Sequence, residues 1–133
     1  MTRALSRDAA VLAHVDEMGS LALGLLEAAT EAFVRRDLAR AHRLPAMDEP
    51  IDRLDRGMLA EVMRASANRA VLEWAIPMHL AARLIERVGD HAVDMGERVG
   101  FLVTGVFREF TDASHDVVVH RWEPPRLDAG GMC

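Results

Sequence analysis

The sequence predicts an all-α fold, an up-down-up bundle of three long helices, and three observations lead there. Apolar residues recur at alternating steps of four and three over three long stretches. The stretches are joined by short connections rich in capping residues and proline. Half the residues are hydrophobic but only 5% are aromatic, so the core must come from Ala, Leu, Val, Ile and Met, which suits interlocking helices.

The first helix is expected to begin after Ser6 or Asp8, either of which can cap it. Its seam runs Val11, Val15, Met18, Ala22, Leu25, Ala29, Ala32 and closes at Arg35–Arg36, where cations suit the negative end of the dipole. Asp37 reads as the N-cap of a second helix with the seam Leu44, Met47, Ile51, Leu54, Met58, Val62. Pro45 and Pro50 each remove a backbone donor, so a kink or a restart is expected near residues 45–50. In a restart, Asp48 would cap the new segment and Pro50 would sit in its first turn.

The third helix starts near Ser66–Asn68 and carries the seam Trp74, Met78, Ala81, Ile85, Val88, Ala92, Met95, Val99, Leu102. Pro77 should bend it early, and Gly105 should end it. Gly96 and Gly100 form a small-residue step that allows close approach of another helix. The bundle is thus assigned to residues 1–106. Residues 107–133 read as an extended or partly disordered tail, with a short strand expected at Val117–Val119, and carry no assigned function.

Several function classes drop out on composition. At 133 residues the chain forms one domain. All sixteen basic residues are Arg, which excludes a P-loop lysine or a Schiff base. A net charge of −5 without a basic cluster argues against nucleic acid as a partner. The single cysteine, Cys133, cannot form an intramolecular disulfide, so a cytoplasmic protein is expected. No signal-like N-terminus is seen, and no uninterrupted apolar run approaches the roughly 20 residues that span a bilayer. No direct membrane insertion is therefore expected. Nucleophile motifs are absent, and so are the Cys/His clusters and Glu-x-x-His pairs of familiar zinc and di-iron sites.

The chemistry-bearing stretch is residues 83–97. Opposite its apolar stripe, Arg83, Glu86, Asp90, Asp94 and Glu97 are expected on an outward face. Carboxylates four residues apart stack along a helix and repel. The plain explanation is a solvated face laced by pairs such as Arg83–Glu86 and Asp94–Arg98, each contributing at most about 0.5 kcal/mol. The sharper one is an oxygen-ligand site for a hard cation. That needs acids from a second helix, and Asp48, Asp52 and Asp55 offer them. Of the six histidines, His91 alone lies within this stretch.

The run Glu86-Arg-Val-Gly-Asp-His-Ala-Val-Asp-Met-Gly-Glu97, followed by Phe101-Leu-Val-Thr-Gly105, closely resembles the third-helix motif of the PhoU family. Asp48-Glu-Pro-Ile-Asp52-Arg-Leu54 is similar to that family's second-helix motif, and the resemblance covers roughly residues 5–106. It implies a metal site formed by Asp48 and Asp52 from one helix and Glu86 and Asp90 from the next, with His91, Asp94 and Glu97 in the same motif. The metal would be Fe, Mn, Mg or Zn. It also implies a regulator that represses the phosphate-starvation response by contacting a sensor histidine kinase and the ATPase of a phosphate ABC transporter. Three departures from the family pattern bear on this. Typical members carry two repeats and this chain has one, so a homodimer of six helices is expected to imitate the tandem form. Pro50 stands between the two second-helix acids, and Asp94 stands where Asn is common.

Two other readings compete. A metal-dependent all-α nucleoside triphosphate pyrophosphohydrolase would need Glu-x-x-Glu followed by Glu-x-x-Asp; Glu49-x-x-Asp52 supplies half of that pattern, and Glu-x-x-Glu is missing. A metal-free helical adaptor would differ from the leading reading only in metal content.

Overall fold

The computed structural model describes residues 2–110 and 119–121. Four helices follow one another: α1 Thr2–Arg35, α2 Leu38–Ala41, α3 Leu44–Ala65 and α4 Arg69–Thr104. Two short strands close the description, β1 Val106–Arg108 and β2 Val119–Arg121. The three long helices form the expected up-down-up bundle, around the fully buried Met18, Leu25, Leu44, Ile51, Met58 and Val99.

α1 begins earlier than its capping signals suggested and stops where expected. Arg36 adopts φ +55, the left-handed position that ends many helices, here without a glycine. The Asp37 N–H then reaches back to the Ala32 carbonyl at 2.9 Å, and the Arg36 N–H to that of Phe33 at 3.3 Å. Two of the orphan carbonyls of the last turn are thereby satisfied. Between Ala9 and Arg35 this helix is long and apolar enough to cross a membrane by composition, with mean hydropathy 1.4. Its seam, however, is occupied by α3 and α4.

The expected second helix is two helices. Asp37 does cap, its carboxylate accepting from the Arg40 N–H at 2.9 Å, but α2 lasts a single turn. The chain restarts at Leu44 with Pro45 in the first turn, where its missing donor has no intrahelical bond to lose. This corrects the restart as expected from sequence. Asp48 is not a cap, and Pro50 lies inside a helix that continues unbroken from Leu44 to Ala65. The bond lost to Ala46 is tolerated because Ile51, Leu54 and Met58 hold the following turns in the core.

α4 matches its signals at both ends. The Asn68 side chain accepts from the Ala70 and Val71 N–H groups at 3.1 and 3.4 Å, and Gly105 caps the far end with φ +71. The helix runs through Pro77. α3 lies antiparallel to α4: Asp55 meets Arg83, Asp48 lies at Gly89, and Leu44 lies at Gly96. α1 therefore runs parallel to α4, and Ala32 meets Val99 at their shared end. The Gly96 step serves packing within the chain. A Cβ there would come within 2.6 Å of Leu44 Cδ1 and 3.3 Å of the Ala41 carbonyl.

Beyond Gly105 the chain pairs rather than trails. β1 and β2 are antiparallel, with Phe107 opposite His120, so the pairing uses residues 119–121 where 117–119 was expected. The remainder of the expected strand and tail lies outside the described residues.

Candidate metal site

α3 and α4 cross with their acids on one side, and between them opens a cleft of about 460 Å³. Asp48, Asp52, Asp90, His91, Asp94 and Glu97 line it, closed at the edges by Pro45, Val93 and Phe110. Within it Asp48, Asp52 and Asp90 each offer a carboxylate oxygen, all within 4.8 Å of one another. Asp48 is buried at 7% exposure, Asp52 is half-buried and Asp90 is exposed. Three acids graded in this way, from floor to rim, suit a hard cation that keeps part of its water.

Pro50 does not displace either α3 acid. Residues 48 and 52 are one helical turn apart, on the face away from residue 50, and both line the cleft. Close approach of the helices depends on Gly89. A Cβ at that position would overlap Asp48 Oδ1, and would come within 3.5 Å of Ile51 Cδ1. The missing side chain is the space the Asp48 carboxylate occupies. Sequence inspection did not single out Gly89, although a glycine in the interior of a motif helix was the visible sign.

Glu86 stands apart from the trio. It lies toward the next turn, where Arg83 Nη1 donates to Asp55 Oδ2 at 2.7 Å and sits 3.5 Å from Glu86 Oε2. The expected Arg83–Glu86 pair is therefore shared with Asp55, whose side chain is only 9% exposed. Burial pushes the Glu86 carboxyl above the usual carboxylate range; Asp90, Asp55 and Asp52 add to the rise, and Arg83 opposes it. A carboxyl pKa raised by folding means stability falls as pH rises from the unfolded value of 4.5 through the folded one. Glu86→Gln should accordingly raise the neutral-pH Tm of chelator-treated protein by about 2–4 °C. The gain should vanish below that unfolded value. A Tm unchanged or lowered at neutral pH would contradict this account.

Glu97 corrects the expected outward face. It is buried, at 9% exposure, because the chain turns back after Gly105 and lays Phe110 over it. The Phe110 N–H donates to Glu97 Oε1 at 2.6 Å, while its ring meets His42 at 5.0 Å and packs on Gly96. Burial raises the Glu97 carboxyl, and the Phe110 hydrogen bond opposes that rise. Phe110 carried no sequence signal, since only the turn after Gly105 brings it to the cleft. His91 Nδ1 lies 3.7 Å from Asp94 Oδ2 at the rim. Arg98 does not pair with the Asp94 carboxylate; it donates to the Asp94 carbonyl at 3.0 Å.

A helical bundle with an acidic two-helix cleft is the class that fold and site define. The chain belongs to the PhoU family: residues 15–99 match the model of the PhoU domain, and that span contains every acid of the cleft. The phosphate-specific transport system accessory protein PhoU homolog 1 of Mycobacterium tuberculosis is 34% identical over 90 residues, covering 68% of this chain and 40% of the relative. Homolog 1 of Thermotoga maritima is 33% identical over 96 residues, covering 71% and 41%. The Xylella fastidiosa homolog is 34% identical over 92 residues, covering 66% and 38%. The chain thus spans about two fifths of the length of the curated relatives it matches. No solved structure matches it significantly.

Proposed function

We propose that this chain is an accessory regulator of phosphate uptake that works by protein contact rather than catalysis. The observation that carries the reading is the acidic cleft of Asp48, Asp52 and Asp90 on a PhoU scaffold. Its partners are the ATPase of a phosphate ABC transporter and a sensor histidine kinase, and contact with them represses the phosphate-starvation response. The chain works as a homodimer.

The donor set fits a divalent cation or iron. All three gathered atoms are carboxylate oxygens, the choice of Mg²⁺, Mn²⁺ and iron rather than of a thiolate-preferring metal. Asp48, Asp52 and Asp90 would hold it, with Glu86 one turn away and His91 and Asp94 at the rim. A bound cation supplies positive charge that relieves repulsion among these acids and makes the cleft attractive to an anionic group. Asp48 fixes the position from the floor, and Phe110 limits water at one end.

Elemental analysis of protein purified without chelator should find Fe, Mn, Mg or Zn near stoichiometry. The Asp48/Asp52/Glu86/Asp90 quadruple Ala variant should lose at least nine tenths of it; unchanged metal content would sink the ligand assignment. Binding of the purified transporter ATPase to wild-type protein tests the partner reading separately. Pyrophosphate release from a nucleoside triphosphate would instead support the pyrophosphohydrolase alternative.

A further inference from the structure

A second unexplained surface lies away from the cleft. On α4 the acids face α3, whereas Leu84, Val88 and Leu102 project from the other side and are 60%, 41% and 49% exposed. On α1, Ala28 and Glu31 face the α2–α3 side, through the groove shared with Met47 and the ion pair to Arg40. Leu12, Leu23 and Leu26, at 56%, 59% and 37% exposure, project from the opposite side of that helix. Both apolar stripes therefore flank the same α1–α4 seam and make one continuous face. A patch of this extent on a small domain marks a place where something docks.

Its charges say what. Asp16 and Glu27 stand beside the α1 stripe, and Arg87 and Arg98 beside the α4 stripe, all four exposed. The two acids are eleven residues apart, and so are the two arginines, a shared spacing of about 16 Å along a helix. Among the described residues Asp16, Glu27 and Arg87 form no ion pair, and Arg98 contacts only the Asp94 carbonyl. α1 and α4 run parallel, with Ala32 level with Val99 in their shared cluster. A two-fold axis along the bundle then lays α1 of one copy on α4 of the other. In that register Arg87 and Arg98 each sit about four residues above Asp16 and Glu27, about 6 Å. Long helical side chains lean toward the N-terminus, which closes that gap.

We propose that the α1–α4 face is a self-complementary docking surface for a second copy of this chain, with Asp16 against Arg87 and Glu27 against Arg98 across a two-fold axis. The proposal rests on the homodimer reading and names its surface. Charge selects this arrangement over the antiparallel one, which stacks α1 on α1 and α4 on α4 and leaves the acids facing no arginine. The same charges disfavour a lipid surface, because two carboxylates would enter it with the leucines.

The test uses two full-length variants, Asp16→Arg/Glu27→Arg and Arg87→Glu/Arg98→Glu, with circular dichroism as the check on folding. Wild type should have twice the chain mass by light scattering. Each variant alone should dissociate at least tenfold more readily, because like charges then meet in both halves of the interface. Mixed in equal amounts, the two should form a heterodimer of wild-type affinity by native mass spectrometry, since every contact is again between opposite charges. Variants that dimerise as wild type does would overturn the surface while leaving the homodimer reading intact. Variants that dissociate but do not recover on mixing would overturn the α1–α4 pairing. A monomeric wild type would overturn both readings, including one that instead floats with phosphatidylglycerol vesicles.

Discussion

Gly89→Val should destabilise the protein by about 1–3 kcal/mol and push the most buried carboxylate, Asp48, out of the cleft. Two effects oppose each other at this position. Valine is the better helix former by a few tenths of a kcal/mol, which favours the variant. Against that, the added Cβ overlaps the Asp48 carboxylate and touches Ile51, both buried between packed helices. Overpacking wins, because neither neighbour can swing into solvent without dragging α3 off α4. Gly57→Ala is the matched control. It has no neighbour within 4 Å of the added carbon, so it should stabilise by about 0.5–1 kcal/mol. Urea melts of the two variants should move in opposite directions, and only Gly89→Val should lose bound metal. A Gly89→Val protein as stable as wild type would show that the helices are less tightly engaged than described.

Arg83→Leu should destabilise the protein at neutral pH, lowering the midpoint of its urea melt. Leucine preserves packing along the stem but removes the cation beside Asp55 and Glu86. Asp55 is buried, and its ion pair with Arg83 is what compensates its desolvation. Arg83 itself is half exposed, with a side chain 49% accessible, so water weakens the loss below that of a fully buried pair. The pH profile separates charge from packing. As pH falls through the raised Glu86 range toward its reference value of 4.5, the stranded Glu86 carboxyl takes up a proton and the variant should recover part of its deficit. A deficit unchanged with pH would mean the stem's packing, not the guanidinium, carries the effect. Adding Glu86→Gln should recover part of the neutral-pH loss by removing one of the two carboxylates.

Much of the architecture could be read from residues with local effects. Asn68 and Gly105 bound α4 because each satisfies its own end groups within a few residues. The α1 seam, buried at Val11, Met18, Ala22, Leu25, Ala29 and Ala32, follows from periodicity alone. The failures cluster around residues 42–50, where two prolines five residues apart offered two places to break the helix. The break fell before Pro45, since a proline in a first turn loses nothing, and packing of Ile51 and Met58 carried α3 through Pro50.

The site divides in the same way. Asp48, Asp52 and Asp90 were legible as acids at helical spacing on two consecutive helices, and the cleft gathers all three. Glu86 shares that spacing on α4 but shares Arg83 with Asp55 across the bundle. Glu97 shares the face in sequence yet is covered by Phe110. The sequence by itself determined the long helices, the α1 seam and which residue types could meet a cation, because those depend on spacing of three and four and on local capping; Met47, Val88 and Leu102, expected on the seams of the second and third helices, are exposed instead. Only the tertiary structure decided which acids converge. Convergence depends on the α3–α4 register set by Gly89 and Gly96, on an arginine borrowed by Asp55, and on a chain reversal after Gly105. Each of these acts between residues far apart in sequence, where periodicity carries no information.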